Sequence, residues 1–291
     1  MRYWLLMLAA AVGLHDGAMA QATDDIIVSG QRGKRDPEKT FVEAMAAPSA
    51  NGQLARFTEK ICPRGFGLSE QNNQGLAQRI RRVAAAAKIP VAEEGCRPNI
   101  IILFVTDRRQ AIARWRTDRP DFFIGLTPSR ISALAAGTDP VTSWQIVRVM
   151  GKDGRPIGKA DSDMYDYLVN EQTVPSRLVS SIQIEFAATF VLIEQKLIGD
   201  ASLVQLADYA AMRTLANTDA MAAAGQRLPT ILSLFSSPGE PVPLSLTEWD
   251  LRYLTALYDS PLAARASQQQ RSMGKLIKQD ADRGDSETGR R

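Results

Sequence analysis

The run "NIIILFVTD", Asn99 to Asp107, constrains the fold more than any other stretch of this chain. Its apolar residues fill odd and even positions alike, and most are β-branched. Successive side chains of a strand point to opposite faces, so both faces of this strand must be covered. That predicts a central strand with packed layers on either side.

The segments around it supply those layers. Ser69 is placed to cap a long helix, "EQNNQGLAQRIRRVAAAAKI", whose Leu76, Ile80, Val83 and Ala87 recur at three- and four-residue spacing. Arg79, Arg81 and Arg82 read as its solvated flanks, and Pro90 ends it. "QLARFTEKIC" reads as a short helix ahead of Cys62, and "RGFGLS" as the loop that leads into the long helix. Further helices are expected in "RRQAIARWRTDR" and "TPSRISALAAG". "TSWQIVRVMG" and "RPIGKA" flank "KDG", a hairpin signal. Ser176 to Glu194 predicts one or two strands ending in "FVLIE", with a helix over 180–190 as the alternative. The last helix is "SLTEWDLRYLTALYD", capped by Ser245 or Thr247, with Glu248 and Asp250 at its positive end. The fold class is α+β: a small mixed sheet packed with several helices.

The first twenty residues read as a secretory signal. Arg2 precedes the apolar run "YWLLMLAAAVGL", and "AMA" or "AQA" supplies a small-residue cleavage site. An uncut anchor is the alternative; no membrane span is expected after cleavage. Export makes Cys62 and Cys96 a disulfide pair, since they are the only two cysteines. Closing that loop contributes roughly 4 kcal/mol in the chain-entropy model. Two buried free thiols are the alternative. The expected layout is a signal peptide over 1–20, a flexible tether over 21–47, one domain over 48–262 and a disordered polar, basic tail over 263–291.

The only histidine is His15, which leaves with the signal. Without an imidazole there is no Ser-His-Asp triad, no Cys-His pair and no ordinary zinc ligand set. Carboxylate, Ser-Lys or tyrosine chemistry stays open. "SMGK", Ser272 to Lys275, matches SxxK but lies in the polar tail with no partner motif. The net charge is +3, and no basic-aromatic pattern marks a nucleic-acid surface. No metal and no cofactor is expected.

The segment "QLADYAAMRTLA", Gln205 to Ala216, is a helix capped at Ser202, with its polar residues scattered around the wheel. Such a helix is largely buried. A buried Asp208 needs a partner, for which Arg177 and Arg148 are the candidates. In sequence order come a strand, this helix, the apolar "PTILSLF" and the closing helix "LTEWDLRYLTALYD". That order resembles the zincin-like proteins, especially metzincins. There a strand leads into a helix written L-A-H-E-x-x-H, followed by a methionine-bearing turn and a closing helix with L-T/S-x-x-D and L-Y. The resemblance implies a zincin-like plan, with Asp208 and Met212 at the two ligand positions and Tyr209 at the general-base position. None of the three preserves the family's role, and an aspartate with a thioether is a poor zinc pair.

A second resemblance covers "DIIVSGQR", Asp25 to Arg32, which is similar to the segment near the mature N-terminus of TonB-dependent receptors. It implies a TonB contact by strand addition through Asp25, Ile26, Ile27 and Val28; a β-prone tail with no partner is the plainer alternative.

Two functions are consistent with these residues. The favoured one is an exported, non-catalytic domain, periplasmic or secreted in a Gram-negative envelope, that binds or scaffolds an unknown envelope protein or ligand. The alternative is a histidine-free hydrolase using Asp208 with Glu185 or Glu194 as acid and base.

Overall fold

A computed structural model describes residues 36–49, 52–151, 154, 182–225, 228–236 and 242–288. Twelve elements run in chain order: α1 (Pro37–Met45), β1 (Pro63–Phe66), α2 (Glu70–Ala86), β2 (Ile100–Val105), α3 (Arg108–Asp118), α4 (Pro128–Ala136), β3 (Val141–Gly151), β4 (Ile182–Glu194), α5 (Leu203–Leu215), α6 (Ala220–Gly225), α7 (Glu248–Asp259) and α8 (Ala266–Thr288). The strands form one mixed sheet in the order β1-β2-β4-β3. β1, β2 and β4 run parallel, and β3 pairs antiparallel with β4 at one edge. This is the α+β architecture expected.

The two-sided strand takes its expected place. Ile100, Ile102 and Phe104 of β2 enter the larger core with α1, α2, α5, α7 and α8. Ile101 and Leu103 point the other way, into a smaller core under α3 and α4. That second core is aromatic: Trp144 stacks on Phe190 at 5.0 Å, and its indole N–H donates to the Phe122 carbonyl at 2.7 Å.

The difficult segment 182–194 is a single strand with a bulge. Ile146 pairs with Ala188 and Val147 with Phe186, which leaves Ala187 without an opposite number. One extra residue reverses the inside–outside alternation. Accordingly Ile184 and Phe186 face the large core before the bulge, and Val191 and Ile193 face it after. β4 is also the partner of β3, in place of "RPIGKA", which lies outside the described residues.

Cys62 and Cys96 are joined by a disulfide. Cys62 directly precedes β1 and Cys96 lies four residues before β2, so the bond closes the β1-α2-β2 crossover at its base. Such a bond belongs to an oxidising, extracytoplasmic compartment. Gly67, just past β1, has φ +94, and a Cβ there would lie 2.1 Å from the Phe104 carbonyl oxygen. Only glycine fits that approach of loop to strand.

Three expectations are corrected. Residues 37–45 are helical, and Phe41, Val42 and Met45 are buried, with Phe41 packed on Trp249 at 5.0 Å. The stretch 21–47 therefore contributes α1 to the core; its residues up to 35 lie outside the described residues, as does 1–20. Residues 266–288 form α8. Ala266, Gln269, Met273 and Ile277 are its buried stripe, sparse enough that the polar majority hides it from a composition reading. Finally, residues 54–62 are not helical. They run beside the sheet, with Arg56 bridged to Glu185 and Ile61 to Val91.

The disulfide spans 34 positions, and the loop it closes predicts a loss of about 2–4 kcal/mol on removal. Urea unfolding of Cys62→Ala/Cys96→Ala against the oxidised protein measures this; an unchanged midpoint would contradict it.

Candidate functional site

α5 organises the site. Ser202 caps it, and a reciprocal pair closes its first turn: the Gln205 N–H donates to Ser202 Oγ at 3.2 Å and the Ser202 N–H to Gln205 Oε1 at 2.9 Å. Ten of its thirteen residues are buried, so α5 must meet neighbours on almost every side.

Asp208 is fully buried. Its partner is Arg79 of α2, not Arg148; Arg177 lies outside the described residues. Arg79 Nε donates to Oδ1 at 2.6 Å and Nη2 to Oδ2 at 2.8 Å, a bidentate fork. The Leu246 N–H adds a third bond to Oδ2 at 2.6 Å. The carboxylate raises the Arg79 pKa above its usual value through that hydrogen bond. Arg79 is thus no solvated flank. Arg81 is also engaged, donating to the Ala92 carbonyl and, at 3.2 Å, to Cys96 Sγ; Arg82 is exposed as expected.

Glu185 and Glu194 do not join Asp208. Glu185 accepts from Thr58 Oγ1 at 2.7 Å and faces Arg148 at 3.9 Å. Glu194 faces Arg108 at 3.7 Å and Lys196 at 3.0 Å. The two glutamates stand nine positions apart on β4 (Glu185 to Glu194), about 30 Å at ~3.3 Å per residue. Each of the three carboxylates has its own set of partners. The TonB-like residues Asp25, Ile26, Ile27 and Val28 lie outside the described residues.

The cleft is elsewhere on α5. It encloses about 690 Å³ and is walled by the start of β3, by the opposite flank of α5 and by the 3-10 turn Ile231–Phe235. Tyr209 and Arg213, one turn apart, are the α5 residues that line it; Met212, like Asp208, is buried and is not among the lining residues. Ser143 and Gln145 line it from β3. The Tyr209 ring packs edge-on against Phe235 at 5.1 Å. Burial raises the Tyr209 pKa; Arg213 partly opposes this and Asp139 adds to it. The group is a neutral phenol at neutral pH, a donor and not a base.

Arg213 is held in place without a counter-charge. Its Nε and Nη2 donate to Ser143 Oγ at 3.1 and 2.6 Å, and Nη1 to the Thr218 carbonyl at 3.2 Å. Among the described residues no carboxylate makes an ion pair with it. Asp219, on the rim, accepts the Ala222 N–H at 2.9 Å. Also among the described residues, no group of three or more His, Cys, Asp or Glu side chains is placed to hold a metal. The sequence carried a faint signal for the cleft: Tyr209 and Arg213 are four apart on one helix, so they share a side of it.

Below the cleft, Asp250 fixes the 3-10 turn to α7. It is fully buried and accepts from Thr230 Oγ1, from the Ile231 N–H at 2.9 Å, and from the Thr247 N–H at 3.0 Å and Oγ1 at 2.9 Å. Reading Asp250 as a helix-end charge found half of this role. Arg56 closes the other end of α7, donating to the carbonyls of Leu257 and Ser260. Burial pulls its pKa down to about 10, which leaves it charged at neutral pH.

No family model, curated protein or solved structure matches this chain.

Burial raises the Asp250 pKa against the pull of its hydrogen bonds. The folded chain therefore holds this proton more tightly than the unfolded one. The group adds stability below its ordinary pKa, and that addition is lost as pH rises through the raised value. The stability of the wild type minus that of Asp250→Asn, from denaturant unfolding, is expected to be larger near about pH 3 than near about pH 6. A difference that grows with pH would contradict the assignment.

Proposed function

We propose that the chain is an exported, non-catalytic binding domain of the Gram-negative envelope, built on a metallohydrolase-like plan, and that the cleft between β3 and α5 is its binding site. The observation that carries this reading is Arg213. In the zincin-like helix pattern, two ligands four residues apart look into the cleft. The resemblance puts Asp208 and Met212 at those positions, but both are buried and neither lines the cleft; the cleft-lining pair at the same spacing is Tyr209 and Arg213. A guanidinium has no lone pair to offer and stays charged at all ordinary pH, so it opposes a divalent cation at that place. The phenol beside it is a poor base. The order of β4, α5, the 3-10 turn and α7, with α6 inserted before the turn, supports the plan, and the disulfide supports export.

The cleft has the size of a small-molecule or short-peptide site. Gln145 lines its wall with no side-chain hydrogen bond to the described residues, so Gln145→Trp is a plug that spares the core. Thermal unfolding in fractionated envelope extract tests the proposal. At least one fraction is expected to raise the Tm of the wild type and not that of Gln145→Trp. A ligand at a hundred times its Kd adds about 2.7 kcal/mol. Turnover of peptide or glycan libraries by the purified wild type would contradict the non-catalytic reading.

A further inference from the structure

We infer that the ligand of this cleft is a small carboxylate with an apolar body, its carboxylate seated on the free end of Arg213. The inference rests on the preceding proposal that the cleft is a binding site, and adds the chemistry of what fills it.

The argument begins with donors. A guanidinium carries five N–H groups and accepts nothing. In Arg213 one is on Nε and two are on each terminal nitrogen. Ser143 Oγ takes the Nε–H and one from Nη2; the Thr218 carbonyl takes one from Nη1. Among the described residues, one N–H on each terminal nitrogen is left. Two N–H groups of one guanidinium suit the two oxygens of a planar carboxylate.

The three bonds that Arg213 does make all go to neutral oxygens. They fix the group's position without cancelling its charge. Position is thus supplied in advance, and a ligand need not order the side chain on arrival. Three other charged groups line the cleft: Arg130, Asp139 and Asp219. Arg130 and Asp139 are exposed on the rim, and Asp219 is engaged with Ala222. Arg213 is the half-buried charge among them, and charges nearer solvent are screened more strongly.

The remaining wall defines the rest of the ligand. Val141, Leu232, Phe235 and Met221 line the same cleft as the Tyr209 ring. Met221 is 72% exposed, an unusual position for a large apolar side chain on a wall that already holds an aromatic pair. The Tyr209 hydroxyl, kept protonated by its burial, is a neutral donor within the same face. A carboxylate at the Arg213 end with an apolar group against Phe235 and Met221 satisfies both halves.

N-acetylphenylalanine and N-acetylphenylalaninamide, which differ only in the carboxylate, test this by titration calorimetry and amide chemical shifts. The acid is expected to bind at least tenfold tighter than the amide, with shifts confined to residues 141–145, 209–219 and 231–235. Arg213→Ala is expected to abolish that preference. Arg213→Lys, which keeps the charge but loses the fork, is expected to weaken the acid about five- to tenfold; it also guards against a folding defect in the alanine variant, as does circular dichroism of both. Inorganic phosphate binding as tightly as the acid would overturn the carboxylate assignment. So would equal binding of acid and amide, which leaves the cleft as a site and removes only its chemistry. Binding of neither probe overturns the inference, while the extract fractions and the Gln145→Trp plug judge the site separately.

Discussion

The structure depends on one buried carboxylate. Asp208 sits where no water reaches it, and a lone ion there would cost several kcal/mol. Three short bonds remove that cost: two from Arg79 of α2 and one from the backbone of Leu246. The two partners, Arg79 and Leu246, lie far from Asp208 and from each other in sequence. One stands on α2, ahead of the central strand, and the other opens the approach to the closing helix. A single side chain thereby sets the angle of α5 against α2 and pins the loop that leads to α7. Asp250 repeats the device one layer down, holding the 3-10 turn against α7. Between them the two aspartates fix the floor and the back wall of the cleft.

This arrangement divides the labour of α5. The side with Asp208 and Met212 is committed to packing and has no access to solvent. The side with Tyr209 and Arg213 lines the cleft. The helix is anchored firmly enough on one side to present an uncompensated charge on the other. Rigid presentation of a few polar groups from a helix is what a binding site requires. A fixed guanidinium with neutral partners attracts an anion and disfavours a metal ion.

Much of the frame was legible because it follows from local rules. The two-sided run 100–105 and the caps at Ser69 and Ser202 follow from local pattern; of the two candidates for the closing helix Thr247 takes the cap, and of the two readings of the cysteines the disulfide holds. The misreadings share a cause: each feature is set by contacts distant in sequence. Nothing near Arg79 says that it will meet Asp208, 129 positions away. The bulge at Ala187 breaks the two-residue period that identifies a strand, which is why residues 180–190 looked ambiguous. α1 and α8 carry only three or four apolar anchors each and lean on one another and on α7; neither is persuasive alone. The site was half visible. α5 stood out as a buried helix with Tyr209 among its named residues, but Arg213 did not stand out, since local pattern does not separate the cleft side from the packed side one residue, or 100°, away.

The division of α5 is the claim on which the account turns, and denaturant unfolding of Asp208→Ala beside Arg213→Ala tests it most directly. Losing Asp208 strands a guanidinium and a backbone N–H, and is expected to lower stability by at least about 2 kcal/mol. Losing Arg213 is expected to cost about 1 kcal/mol or less, as for a half-exposed side chain outside the core. The reverse order, with Arg213 essential to folding and Asp208 dispensable, would contradict the assignment of one face to structure and the other to binding.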